Sequence, residues 1–445
     1  MNETMRLAAR IANANYQNIP HSAVEASKQA IMDFVGVTLA GIDEPLAKIL
    51  RADAADQGGH NQANVIGTQE QVSVQQAALV NGSAGHAHDY DDVHMAMSGH
   101  PTVPVAPVVF ALAQHMGCSG QQIINAFATG VDTECIIGRY VGASHYQQGW
   151  HATGTLGTFG AAAAAASLLN LKQNQTAMAL GIAGTQAAGL KSQFGTMCKP
   201  LHAGHAASTG LGAALLAARG FDSRDNILEA DQGFLATQST TADPDKFDRA
   251  LKTPAFAQDI CFKYHAACYL THSAIEATRA LCSRREFSPN DIRQITVTVD
   301  PGHFKVCNIQ EPQSGLEAKF SLRFTVAMTL AGIDTAAIDS FTSELTQDPQ
   351  LVNFRDMVRV VASTQPTPDT HVKIETTPGG THATTYNVAI PLTDLELQWQ
   401  KLTSKFRAVA SPRISQTQID ELIHMFKHLE TMDDLGPLFD AVRAV

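Results

Sequence analysis

The stretch Gly160-Ala161-Ala162-Ala163-Ala164-Ala165-Ala166-Ser167-Leu168-Leu169 decides the fold class. Alanine is the strongest helix former, and methyl-sized side chains let neighbouring helices approach closely. Thr176–Leu190 and Ala206–Ala218 share this composition. No fixed period links the three, so they read as the packed core of a helical bundle rather than a repeat array. Towards the N-terminus, Ser22–Ala40 reads as a helix, with Ser22 and Glu25 as a capping box and Val24, Ile31, Phe34, Val35 and Leu39 as its apolar face. Ser73–Ala84, Val105–His115 and Gln121–Tyr140 continue the helical pattern through the first ~260 residues.

The texture changes near Cys261. Ile295-Thr296-Val297-Thr298-Val299 is a β-branched strand, and Met357–Ala362, His371–Thr376 and Tyr386–Ile390 follow, the last two joined through Pro378-Gly379-Gly380. Helical stretches Ser273–Arg284 and Ser321–Ala331 lie among them, which makes an α+β unit. Helix returns in Leu395–Phe406 and Gln416–Leu429. The expected class is mainly α. Residues 1–262 and 395–445 read as helical and residues 263–394 as the α+β unit; periodicity alone does not decide whether the C-terminal helices rejoin the first domain.

The chain has 445 residues, 44% hydrophobic and 16% charged, the balance of a globular protein with a large core. A net charge of −11 argues against non-specific nucleic-acid binding. The N-terminus carries no apolar signal core, and no apolar run reaches the ~18 residues of a membrane span. Seven cysteines with no C-x-x-C pair suggest reduced thiols and a cytoplasmic setting.

Chemistry concentrates in His86-Ala87-His88-Asp89-Tyr90-Asp91-Asp92-Val93-His94 and His100-Pro101-Thr102, between apolar segments. Such charge is costly unless it is solvated, paired or used. The spacing His86-x-His88 begins like the zinc motif H-x-H-x-D-H, but Tyr90 and Asp91 stand at its last two positions, so no metal is expected. His151-Ala152-Thr153-Gly154 sits at a helix entrance, where backbone N–H groups bind anions; capping of the alanine-rich helix by His151 or Thr153 is an equal alternative. Lys199-Pro200-Leu201-His202 lies between small-residue helices, where a lysine holds a carboxylate or simply meets solvent. His272, at the change of texture, reads on its own as a structural histidine. G-x-G-x-x-G after a strand, G-x-x-x-x-G-K-[ST] and G-x-S-x-G do not occur, so nucleotide cofactors and a serine nucleophile have no support.

Taken together and in order, Asp33-Phe34-Val35-Gly36-Val37, His88-Asp89-Tyr90-Asp91-Asp92, His100-Pro101-Thr102, His151-Ala152-Thr153, Lys199-Pro200-Leu201-His202-Ala203-Gly204, His272 and Lys319-Phe320-Ser321-Leu322 resemble the MmgE/PrpD family. That family includes 2-methylcitrate dehydratase, cis-aconitate decarboxylase and iminodisuccinate epimerase. The resemblance implies a large all-helical domain built from both chain ends, a smaller α+β lid, a homodimer, and a site between domain and lid that uses no metal or organic cofactor. It implies catalytic roles for Asp89, His100, His151, Lys199 and His272, with Lys199, His202, Tyr146, Arg323 and Phe324 contacting substrate. Asp91 and Asp92 are expected to brace the loop through backbone hydrogen bonds, and Asp89 to orient a histidine. Two positions depart from the family pattern: Val93 stands where threonine is common, and Arg323-Phe324 replaces Pro-Tyr.

The expected activity is a cofactor-independent lyase acting on a di- or tricarboxylate, by proton transfer at carbon beside a carboxylate. An epimerase using the same proton abstraction, or a catalytically silent member with a binding or structural role, are the alternatives. Expected partners are the small-molecule substrate and a second copy, with neither nucleic acid nor membrane.

Overall fold

The computed structural model describes residues 2–377 and 379–443 and is mainly helical, with 59% helix and 9% strand. Its contacts divide the chain into two units, Met1–Phe262 with Thr393–Val445, and Lys263–Leu392.

In the first unit the alanine-rich stretch lies in the helix Ala152–Leu168, in which almost every residue is buried. It packs against Gly120–Val141 and Cys198–Ala218, and the latter also packs on Val74–Gly85. Glycine makes this closeness possible. A Cβ on Gly204 would fall 2.1 Å from the Leu79 carbonyl oxygen, and one on Gly210 would fall 2.5 Å from Ala161 Cβ. The returning helix Leu395–Ala410 packs on His21–Gly41. Among its described residues the unit also holds an antiparallel ribbon, β1 (Ala63–Asn64) with β2 (Gln71–Val72).

Two local expectations are corrected here. The helix His21–Gly41 starts from Pro20 with no side-chain cap. Ser22 instead donates to Gln258, and Glu25 accepts from Trp399 Nε1 and pairs with Lys28. The small-residue segment Thr176–Leu190 is helical only to Gly184, and Gly189 adopts φ +140° in the loop beyond it. By contrast, Ser73 and Gln76 do form a capping box at Val74–Gly85.

The second unit holds a four-stranded sheet in the order β4-β3-β5-β6. β3 (Ile292–Val299) runs parallel to β4 (Val358–Ala362) and antiparallel to β5 (Thr370–Thr376), which pairs antiparallel with β6 (Thr381–Tyr386). The helix Tyr269–Ser283 packs on β5 and β6, and Leu322–Leu330 packs on β4. The expected strand Tyr386–Ile390 is displaced: the strand is Thr381–Tyr386, and 387–390 lies beyond its end. Of the expected turn, Pro378 lies outside the described residues, and Gly379 has φ +99°.

Candidate active site

The site is built on the loop that follows the helix Val74–Gly85. His86 is the C-cap of that helix, and Asp89 turns the chain with φ +52°. A non-glycine residue in the left-handed region costs about 1 kcal/mol or more, and such strain persists only where surrounding contacts over-determine it. The Asp89 amide donates to the His86 carbonyl, and its carboxylate lies 2.9 Å from Lys199 Nζ and 3.4 Å from His100 Nε2. Lys199 stands in the first turn of Cys198–Ala218 with its side chain 16% exposed, so it is no solvated loop lysine.

Asp91 is buried between two imidazoles, with Oδ1 2.8 Å from His86 Nδ1 and Oδ2 2.9 Å from His100 Nδ1. The second contact has ion-pair separation but lies off the hydrogen-bond line. Burial alone would raise this carboxyl; the adjoining His100 and His86 rings outweigh it and hold the group well below the usual carboxylate range. Burial pushes His86 down to about 4, against the pull of Asp91, so at neutral pH the ring is neutral. Asp91 accepts, so Nδ1 carries its proton. Nε2 is then an acceptor, buried and without a hydrogen-bond partner.

Asp92 behaves differently. It accepts from Thr102 Oγ1 at 2.5 Å and from the Thr102 amide at 3.3 Å, and burial pushes its carboxyl up to about 8. The expectation that both acids brace the loop through the backbone is therefore corrected. Asp92 does so at the start of the helix Thr102–Met116, whereas Asp91 faces side chains and takes the histidine-orienting part expected of Asp89.

His151 precedes the helix Ala152–Leu168. Its amide donates to the Gly189 carbonyl, and its ring gives no side-chain cap. Thr153 does not cap either: its Oγ1 accepts the His100 amide, joining the two parts of the site. His151 Nδ1 lies 3.0 Å from His202 Nδ1, so one ring donates there and the other accepts. The His151 ring is 5.9 Å from that of His86 and 4.9 Å from Phe194. Burial, then the neighbouring His86, His100 and Lys199, push His151 far below its ordinary value, so it is neutral. His202 is lowered by burial, His205 and Lys199. Tyr146 has Lys191 Nζ 3.6 Å from its ring centroid; its hydroxyl is raised by burial and by Asp89.

The fold thus brings Asp89, His100, His151, Lys199 and His202 together with His86 and Asp91. The last two were not among the expected site residues. Their signal is the H-x-H-D-Y-D spacing of residues 86–91, but the pairing of ring to acid becomes visible only in three dimensions.

Tyr146 belongs to the first unit, and His272, Arg323 and Phe324 belong to the second. His272 is buried, its Nε2 donates to the Ala267 carbonyl at 3.0 Å, and burial followed by His265 and Lys263 holds it well below its ordinary value. Arg323 donates to the Val358 carbonyl, and Phe324 is fully buried. Val93, the other departure, is buried in the first unit and exchanges both backbone hydrogen bonds with Cys261 at 2.9 Å.

Ligand atoms of His86, Asp89, Asp91 and His100 lie within 4.8 Å of one another. A cation there would have to displace the Lys199 ammonium from Asp89 and compete with both rings for Asp91. The donor set suits a metal, but Asp89 already faces the Lys199 ammonium and Asp91 already takes the His86 N–H. What remains is a lysine beside paired carboxylates and neutral imidazoles, groups that hold an anion and exchange a proton. Among the described residues, no helix is long and apolar enough to cross a membrane.

A two-unit chain with this histidine, aspartate and lysine site belongs to the MmgE/PrpD family: residues 5–246 match its N-terminal domain and residues 265–431 its C-terminal domain. Among characterised relatives, cis-aconitate decarboxylase of Homo sapiens is 27% identical, over 98% of this chain and 93% of its own. Cis-aconitate decarboxylase of Aspergillus terreus is 26% identical, over 96% and 93% respectively. The cis-aconitate decarboxylase-like protein oryM of Aspergillus oryzae is 29% identical over 67% of this chain and 66% of its own.

Proposed function

We propose that this chain is a cofactor-independent lyase acting on a small di- or tricarboxylate, with cis-aconitate the first substrate to try. The observation that carries the reading is the Asp89–Lys199 pair, 2.9 Å apart, beside the buried neutral His151. The ammonium has three N–H donors, so it can keep Asp89 and still take a substrate carboxylate.

In a decarboxylation the C–C bond to one carboxylate breaks and CO₂ leaves. The electron pair passes onto carbon conjugated with a neighbouring carboxylate, and one proton is taken up. The charge that develops needs nearby cations and donors: Lys199, with His100 and His202, supplies them. His151, coupled to His202 through Nδ1, exchanges the proton. In a dehydration the same groups remove a proton and protonate the leaving hydroxyl. His272, Arg323, Phe324 and Tyr146 enter this proposal through the family resemblance, as do the homodimer and the lid role of the second unit.

The test is incubation with cis-aconitate, 2-methylcitrate, citrate and iminodisuccinate in D₂O with NMR readout. CO₂ release, with deuterium incorporated into the product, supports the lyase. Loss of water with a new double bond supports the lyase as a dehydratase, exchange or inversion at the α-carbon with no bond cleavage transfers the assignment to the epimerase, and no reaction or exchange with any of the acids refutes both. Asp89→Asn, His151→Gln and Lys199→Ala should each lower turnover ~10²-fold or more. A folded His151→Gln protein with near wild-type turnover would remove that residue from the proton path.

A further inference from the structure

Lys405 stands on the helix Leu395–Ala410 with 1% of its side chain exposed. Its Nζ lies 2.7 and 2.9 Å from the two carboxylate oxygens of Asp33, on the helix His21–Gly41. It also donates to the Tyr90 main-chain carbonyl at 2.8 Å and stands 4.0 Å from the centroid of the Tyr90 ring. One turn beyond Asp33, a Cβ on Gly36 would meet Phe406 Cδ2 at 2.8 Å and Val409 Cγ2 at 3.2 Å. Glycine at 36 is therefore what lets the two helices close until Lys405 reaches Asp33. The Asp33-Phe34-Val35-Gly36-Val37 run supplies both the acid and the space.

Stability alone is a poor explanation of this pair. Removing two charges from water costs several kcal/mol per ion, and well-packed apolar residues often do as well or better. The contact that an apolar pair cannot supply is the one to Tyr90. That carbonyl lies directly between Asp89, strained at φ +52°, and Asp91, which grips the two rings. Orienting the Tyr90–Asp91 peptide constrains both acids at once.

We infer that Lys405, held by Asp33, is a positioning residue for the 89–92 loop: its bond to the Tyr90 carbonyl fixes the peptide that aims Asp89 at Lys199 and Asp91 at His86 and His100. Its effect on turnover rests on the lyase reading; its effect on loop geometry does not.

The test replaces the pair together, because Lys405→Met alone would leave Asp33 buried without its cation. Asp33→Leu/Lys405→Met keeps the volume and removes both charges, so a melting temperature close to wild type is expected. Its crystal structure should show Asp89 released from the left-handed region and separated from Lys199 by more than 4 Å. Turnover should fall ~10²-fold, as misplacement by about 1 Å does. Adding Asp89→Asn should then cost little more, because both changes remove the same interaction; a loss of general stability would instead add. A double variant that keeps the Asp89–Lys199 contact, or wild-type turnover, overturns the inference. If the double variant does not fold, Gly36→Ala tests the same link with every charge retained. Wedging the helices apart should displace Lys405 from the Tyr90 carbonyl and lower turnover, and a displaced Lys405 with an unmoved loop overturns the inference. Wild-type protein inactive on all the acids above would refute the lyase reading while the crystallographic result still decides the positioning role.

Discussion

Asp91→Asn is the most informative single change in the site. The wild-type carboxylate is 2.8 Å from His86 Nδ1 and 2.9 Å from His100 Nδ1, with its side chain 2% exposed. An asparagine fits the same space but has one acceptor oxygen and one NH₂ group. If the oxygen keeps His86, the NH₂ meets His100 Nδ1, which must then accept. That arrangement puts a proton on His100 Nε2, which faces Asp89. The charge-assisted hydrogen bond from His86 Nδ1 becomes a neutral one, a loss of up to about 1.5–3 kcal/mol. If all of that falls on the transition state, turnover drops about ten- to 150-fold, at 1.36 kcal/mol per factor of ten. The assay is turnover of whichever acid the wild type consumes, beside a melting curve to show that the variant is folded. Turnover within twofold of wild type in a folded Asp91→Asn protein would refute the claim that this acid sets the imidazole tautomers.

Three further outcomes follow from buried groups. Glu134 is fully buried, neither of its carboxylate oxygens has a hydrogen-bond partner, and burial followed by Asp92 pushes its carboxyl well above 4.5. Its folded form keeps the proton, so its stabilising contribution is present below pH 4.5 and is lost as pH rises through the folded value. Glu134→Gln should therefore melt higher than wild type at pH 9, by a margin that shrinks towards pH 5; equal margins at both pH values would contradict this. Burial pushes both His86 and His94 down to about 4. Their folded forms refuse protons that the unfolded chain accepts, so stability falls as pH drops from 6.5 to 4, by up to ~1.4 kcal/mol per pH unit for each ring. His94→Gln should flatten that limb in urea titrations, and an unchanged slope would count against it. Gly204→Ala gains ~1 kcal/mol of helix propensity. Its Cβ, however, falls 2.1 Å from the Leu79 carbonyl and 2.2 Å from Ser83 Oγ, and overpacking of ~1–3 kcal/mol or more should win. A melting temperature at or above wild type would show that the helices yield more easily than their packing implies.

The helices were legible because composition alone carries them: alanine runs favour helix, and small residues make sense only where backbones meet. Strand β6 was not, because Thr381–Tyr386 is an edge strand rich in threonine with no apolar alternation, while the more apolar residues 387–390 lie past its end. Ser22 and Glu25 had the spacing of a capping box, but tertiary partners took both side chains. In the site, the residue types and their order were readable and the pairings were not. Nothing around Asp89 announces a left-handed backbone, since neither glycine nor asparagine occupies that position. Lys405 looks like any lysine on an amphipathic helix; its burial comes from a glycine some 370 residues earlier.

Three acids in four residues would be untenable as three buried anions, and each escapes that state in its own way. Asp92 keeps its proton, pushed up to about 8, and spends its acceptors on Thr102. Asp91 stays ionised because two rings face it, an arrangement that cannot be exchanged without stranding a buried charge. Asp89 alone has a substantially exposed carboxylate, 44% of its side chain, with a lysine as partner. Exchange of partners is therefore cheap only at Asp89–Lys199, where water reaches the carboxylate and can screen the intermediate arrangements. An incoming carboxylate would engage the loop there, while Asp91 and Asp92 hold the geometry that it meets.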